Sequence, residues 1–481
     1  MEKLAELTIK KFHQMLKNRE LTVRQLVDYY IGRMKEYDKE INSLIHINPN
    51  AQKEADEKDR QFAQRGIEGL LFGVPVLLKD NINTKDMPTT GGSLALEGVI
   101  PTYDAFVVSK LRKEGAILLA KVNLSEFACT GESRGSLVGQ TNNPYDLTYT
   151  PGGSSGGTGA GLAADFGLAG LGTDTMNSVR SPASACSLAG IRSSRGIVSR
   201  SGVIPYALTH DSVGPLARTI EDAGLVLAAI AGYDEADPVT ELSKGQDLNY
   251  VNELTGDLHG IRIGIVNSLI GKGEIHAEVN GLLQKAFEDL RELGAELVDF
   301  NYSIDMDELQ REVNVQFHEQ SKDMTAYLDT IKDVTEMSNF EAVLTSGKVD
   351  PWVASKMQKA VELANDTDEY QRRLANIAAF RDKVGELMDA QKLDALIYPE
   401  QQQLVAKVGS QQADRNGLFA TASGFPAMVV PCGFSQPTST AKLGIPVGIE
   451  FFGRPFSEKL LVKIAYAYEQ MTKHRKPPIL K

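Results

Sequence analysis

A chain of 481 residues and 52.4 kDa can bury one large core or two to three ordinary ones. Its 42% hydrophobic and 24% charged content is that of a soluble globular protein. A formal net charge of −12 argues against a non-specific nucleic-acid binder, because phosphate binding needs a basic face.

Three cysteines, Cys129, Cys186 and Cys432, are odd in number and far apart, which points to a reducing compartment without a disulfide framework. No Cys/His spacing suggests a zinc site. The start, Met1-Glu2-Lys3-Leu4-Ala5-Glu6, is charged and lacks the apolar core of a signal peptide. No apolar run approaches the ~20 residues of a membrane span. The expectation is a cytoplasmic protein with no membrane partner.

Residues 1–48 read as helices: Thr22-Val23-Arg24-Gln25 fits a capping box, and Leu26, Val27, Tyr30, Ile31 and Met34 keep helical spacing. Ala51 to Gln64 reads as a charged, solvated helix. Phe72 to Leu78 is a short apolar run that predicts a buried strand, ending in Lys79-Asp80-Asn81. From the residues alone, a lysine directly after such a run is a snorkelling surface residue. Asp104 to Lys113 predicts a helix, Gly115 its stop, and Ala116 to Ala120 a strand.

Helix-then-strand alternation recurs at 156–166 and 168–172, at 276–293 and 296–300, and at 370–391 and 394–398. It predicts an α/β fold, a single large domain over 1–481 with a central mixed β-sheet covered by helices on both faces. Runs at 428–430 and 447–452 read as further strands, and Ser457 to Lys473 as a closing helix. Residues 303–366 are the least patterned and carry the only tryptophan, Trp352.

The densest run of small and hydroxyl residues is Thr150 to Gly196, with two loops of interest, Gly152-Gly153-Ser154-Ser155-Gly156-Gly157 and Gly172-Thr173-Asp174-Thr175-Met176-Asn177-Ser178-Val179-Arg180. Glycine-rich loops expose N–H groups that can hold an anion or a developing oxyanion. A serine in such a loop becomes a nucleophile only with a partner base. No Lys follows the glycines, so a phosphate loop is rejected. Gly159 is followed by Leu162 where a dinucleotide fingerprint needs glycine, so that is rejected too. Gly152 to Gly156 fits a Gly-x-Ser-x-Gly nucleophile elbow, but 146–151 is a poor strand to precede one.

Three elements in order, Leu77-Leu78-Lys79-Asp80, the GGSSGG loop and the GTDT..S.R loop, resemble the amidase signature family of Ser-Ser-Lys amide hydrolases. Ser154 and Ser178 are 178 − 154 = 24 residues apart, as the family pattern requires. The resemblance covers nearly the whole chain and is strongest from Leu71 to Arg218. It implies N-terminal helices over 1–65 on the rim, a catalytic core over 71–218, and a variable region over 303–366 that walls a substrate funnel.

By that resemblance Ser178 is the nucleophile, Ser154 bridges it to a neutral Lys79, and the Gly153-Ser154 peptide is cis. The N–H groups of Thr175, Met176, Asn177 and Ser178 match the oxyanion hole, and Ser155, Asp174 and Arg180 match loop-bracing positions. The implied activity is hydrolysis of a small-molecule amide, with no cofactor, no metal, no direct nucleic-acid contact, and a monomer or homodimer as the assembly. The alternative within the family is the glutamine-hydrolysing A subunit of an aminoacyl-tRNA amidotransferase.

The chain departs from the family at Met176-Asn177, where Gly-Gly is common. Both side chains narrow the acyl pocket, and Asn177 is placed where φ suits glycine. Ile191-Arg192-Ser193-Ser194 departs as well and is read as structural. The amidotransferase pattern also has an acidic residue before the late strand, a place that Asp414 could fill. His210-Asp211 supplies the rival dyad for an elbow enzyme with Ser154 as nucleophile, although a lone loop histidine is more often structural. Cys186, bounded by small residues, is read as packing.

Overall fold

Short apolar runs separated by helix-forming segments build one continuous sheet. The computed structural model describes residues 4–252 and 254–480, so Met1–Lys3 of the charged N-terminal stretch lie outside the described residues. Its strands are β1 (Leu44–Ile47), β2 (Pro75–Lys79), β3 (Ile117–Val122), β4 (Arg134–Gly135), β5 (Gly139–Gln140), β6 (Ala169–Asp174), β7 (Ala189–Arg192), β8 (Ser212–Ala217), β9 (Arg262–Ile265), β10 (Glu296–Asp299), β11 (Ala395–Pro399), β12 (Ala427–Phe434) and β13 (Pro446–Gly453). Eleven form a mixed sheet in the order β1-β3-β2-β6-β8-β7-β12-β13-β11-β9-β10, and β4 and β5 pair separately.

Every residue of β2, β3, β6 and β8 is buried, and apart from the buried lysines Lys79 and Lys121, β2 and β3 are apolar on both faces rather than alternating. That is the pattern of strands covered on both sides. Helices flank the sheet; Phe106–Lys113 is the crossover from β2 to its parallel neighbour β3, and Gly156–Ala163 leads into β6. β2 lies between β3 and β6, parallel to both, with Leu77 opposite Gly170 and Leu78 opposite Leu171. This register brings the end of β2 beside Thr173 on β6.

The capping box at Thr22 forms: its hydroxyl accepts from Gln25 N, and Gln25 Oε1 accepts from Thr22 N. The helix Val23–Ile41 then ends on Asn42 in the left-handed region. The expectation of helix throughout 1–48, and of helices alone over 1–65, is corrected at Leu44–Ile47, which pairs antiparallel with β3. Four residues are too few to show a period, and pairing to a buried strand decides their conformation. The unpatterned 303–366 region folds as four helices, Met306–Val313, Gln316–Thr330, Phe340–Thr345 and Pro351–Leu363. Asp305, Asn339 and Asp350 cap three of them. Among the described residues no helix is long and apolar enough to cross a membrane.

Candidate active site

Lys79 is the last residue of β2, not a surface residue beyond it, and its side chain is fully buried. Its Nζ lies 2.6 Å from Ser154 Oγ and 2.7 Å from Thr173 Oγ1. Burial disfavours the ammonium and lowers the Lys79 pKa to about 7, against the opposing pull of Asp174 and Asp211. The amine is therefore poised to carry or release a proton near neutrality.

Ser154 sits on the turn before the helix Gly156–Ala163, and the Gly153-Ser154 peptide is cis, as expected. Ser133 clasps this turn: its Oγ donates to Gly152 O at 2.9 Å and accepts from Gly156 N at 2.9 Å. A side chain at Gly153 would meet the Gly131 carbonyl oxygen at 2.8 Å, which is why glycine stands there. Ser155 Oγ donates to Thr173 O and Ser155 N donates to Ser178 O at 3.2 Å, tying the turn to β6 and to the loop after it.

That loop, 175–178, joins β6 to the helix Arg180–Ala185. Met176 O accepts from Arg180 Nη2 at 2.5 Å and from Thr421 Oγ1 at 2.9 Å, and Asn177 O accepts from Ser181 N at 2.7 Å. In a planar trans peptide the N–H points opposite to the C=O. Anchoring these two carbonyls therefore turns the N–H groups of Asn177 and Ser178 to the other side. Among the described residues the N–H groups of Met176, Asn177 and Ser178 find no acceptor. Neither Met176 nor Asn177 has a positive φ, so the expectation of a glycine-like φ at Asn177 is corrected: the loop accepts side chains without left-handed strain. Thr175 Oγ1 donates to Asp211 Oδ1 at 2.6 Å, and burial pushes the Asp211 carboxyl up to about 6.

Thr175, Met176, Asn177 and Ser178 line a cavity of about 540 Å³. Its far wall comes from the 303–366 helices, with Gln310, Phe317, Trp352 and Lys356 facing it. Ser178 lines the cavity, whereas Lys79 and Ser154 are fully buried and do not line it. Among the described residues no hydrogen bond joins Ser178 Oγ to Ser154.

Asp174 and Arg180 form a fully buried pair, and Arg192 adds a second guanidinium at 2.9 Å from Asp174 Oδ1. Burial alone would raise the Asp174 carboxyl, but Arg180 and Arg192 hold it well below the usual carboxylate range. Glu450 on β13 accepts from Arg180 Nη1 at 2.6 Å and from the Tyr398 hydroxyl at 2.7 Å. Sequence reasoning missed Thr173, Glu400 and Glu450. The available signal was a lone glutamate inside the apolar run Val447 to Phe452, which has to be paired to be buried.

Neither His210 nor Cys186 lines the cavity. His210 is buried with Nε2 at 3.1 Å from Val313 O, and burial lowers its pKa to about 4. Cys186 is buried and its thiol is pushed up by burial. Asp414 is on the cavity wall beside His276.

A family model described as Amidase matches residues 25–462. The chain belongs to the amidase family. Among curated relatives, the A subunit of a glutamyl-tRNA(Gln) amidotransferase from Thermoanaerobacter pseudethanolicus is 32% identical, over 99% of this chain and 98% of its own length. Among solved structures, the native peptide amidase of Stenotrophomonas maltophilia superposes with a TM-score of 0.88 at 31% identity, covering 99% of both chains. An amidase family protein from Bacillus anthracis gives 0.88 at 30% identity, covering 100% of this chain and 93% of its own. The amidase is an amide-cleaving enzyme with the amidase-signature fold.

Proposed function

We propose that this amidase hydrolyses the C–N bond of a small-molecule carboxamide through an acyl-enzyme on Ser178. The observation that carries the reading is the buried Lys79–Ser154 contact of 2.6 Å, on a turn tied through Ser155 N to the carbonyl of Ser178, which lines the cavity. Neutral Lys79 takes the Ser154 proton as Ser154 takes that of Ser178, and Ser178 Oγ bonds to the amide carbon. A hydroxyl serves as the bridge because it donates and accepts at once. The N–H groups of residues 175–178 receive the oxyanion, each donor contributing on the order of 3 kcal/mol. The proton returns to the leaving nitrogen, the C–N bond breaks, and ammonia or an amine departs. Water then attacks the ester by the same relay, releasing the carboxylate and restoring Ser178. Ser155, Asp174 and Arg180 hold the two loops in register. Three free, buried thiols fit a cytoplasmic setting.

A second reading has its own support. The Thermoanaerobacter relative is the A subunit of an amidotransferase, and Asp414 stands on the cavity wall of this chain. In that reading glutamine is the amide, and a partner receives the ammonia.

Ammonia release from a panel of amides that includes glutamine separates the two. Turnover of simple amides that Ser178→Ala and Lys79→Ala abolish supports the free-standing enzyme. Weak turnover of glutamine alone supports the amidotransferase component. Full activity in Lys79→Ala overturns the relay.

A further inference from the structure

Asn177 is buried, and its side chain donates from Nδ2 to Glu400 Oε1 at 2.7 Å. Its amide is thus held at the end of β11 and does not narrow the acyl pocket, contrary to the expectation from the sequence. Glu400 follows β11 directly and is fully buried, and among the described residues its Oε2 has no hydrogen-bond partner. The residue is fixed by its backbone: Glu400 N donates to Gly448 O on β13, and Asn416 N donates to Glu400 O. Asn416 Nδ2 also holds Pro399 O at 2.8 Å. A single side-chain bond thus links the loop after β6 to the end of β11, which is far from β6 in the strand order of the sheet.

Asn177 lies between the two peptide groups whose N–H groups are turned opposite to their anchored carbonyls. The Met176 carbonyl fixes one of those peptides and the Asn177 carbonyl fixes the other. Among the described residues the hydrogen bond that holds the side chain between them is the one to Glu400. Where glycine would leave this residue free to rotate, asparagine held at its amide removes the freedom. From this geometry we propose that Glu400 is a positioning residue for the oxyanion loop, acting through its hydrogen bond to Asn177. The inference rests on the Ser178 hydrolase reading above.

Burial pushes the Glu400 carboxyl up to about 8, and Glu450 adds to it, while Arg180, Asn177 and Arg415 pull the other way. The protonated acid is therefore the main form at neutral pH, and glutamine is its closest neutral match. Displacing an oxyanion donor costs about 10²-fold in rate.

The test is a cycle on kcat and KM with the best amide: E400A, N177G and the double variant, with E400Q beside them. E400A is expected to lower kcat about 10²-fold and to move KM less. E400Q, which can still accept from Asn177, restores most of the loss. In the N177G background, E400A changes kcat by no more than about twofold, as for a residue that acts only through its partner. An equal loss from E400A in both backgrounds, or a wild-type kcat in E400A, overturns the proposal. If E400A does not fold, N177A decides: it removes the donor alone, and a wild-type kcat there overturns the proposal. S178A keeps the two readings apart. Activity that survives S178A sinks the underlying mechanism, whereas an inactive S178A beside a fully active E400A sinks only the role of Glu400.

Discussion

Asp174 and Arg180 meet in a fork inside the core, Nη2 at 3.1 Å from Oδ1 and Nε at 3.1 Å from Oδ2, with both side chains fully buried. Arg192 shares the same carboxylate, while Arg180 has a second buried partner in Glu450. Removing Asp174 takes the carboxylate from buried Arg192 and leaves Arg180 with Glu450 alone. Asp174→Ala is expected to cost about 3–5 kcal/mol in denaturant unfolding. A loss under about 1 kcal/mol would mean that water reaches the site.

Lys79 sets a pH dependence of two kinds. A base with a pKa near 7 is active when unprotonated, so kcat/KM should rise with pH through about 7 and then level off. Stability follows from linkage. Between about 7 and the ordinary lysine value of 10.5 the unfolded chain holds a proton that the folded chain has released. The unfolded state then binds more protons, so the contribution of Lys79 to stability grows as pH rises across that window. Unfolding of the wild type against Lys79→Met, followed from pH 7 upward, should show the difference moving in favour of the wild type. A constant difference would place the folded-state pKa at its ordinary value.

The signature loops were legible because their chemistry is local: glycine and serine at fixed spacing place Ser154, Ser155 and Ser178 whatever surrounds them. The helix-strand alternation that gave the sheet was legible for the same reason. Glu400, Glu450 and Thr173 were not, since each owes its place to a partner far away in sequence, such as Arg180 for Glu450 and Asn177 for Glu400. Lys79 is intermediate. Its apolar run gave the strand, but only the parallel neighbour β6 buries its amine. β1 was missed because four residues carry no period and the β3 edge alone selects them.

His210 separates the lysine relay from a histidine mechanism. Its Nε2 is engaged with Val313 O, its ring does not line the cavity, and Arg192 Nη2 donates to its backbone carbonyl at 2.7 Å. His210→Ala should cost about 1–3 kcal/mol of stability through the lost packing and the unpaired carbonyl. Its kcat should stay near that of the wild type when measured below the unfolding transition. A collapse of kcat in a folded His210→Ala protein would instead favour Ser154 as nucleophile with a histidine base.

Gly417 is the partner that lets asparagine stand where glycine is common. A side chain at 417 would press on Asn177 Cβ and lie 2.6 Å from Met176 O, with no flexible tip to yield on the backbone side. Its φ is −61, an ordinary helical value, so alanine is refused by space and not by backbone conformation. Gly417→Ala should therefore displace the 176–177 peptide, and kcat should fall by about 10²-fold. The loss in global stability should be smaller, because overpacking at a single methyl costs about 1–3 kcal/mol. Asn177→Gly removes the Cβ that the new methyl meets, so the double variant should recover part of kcat. If Gly417→Ala alone keeps its rate, the loop yields more easily than the two anchored carbonyls imply. If the double variant is no better than the single one, the clash with Met176 O is what matters.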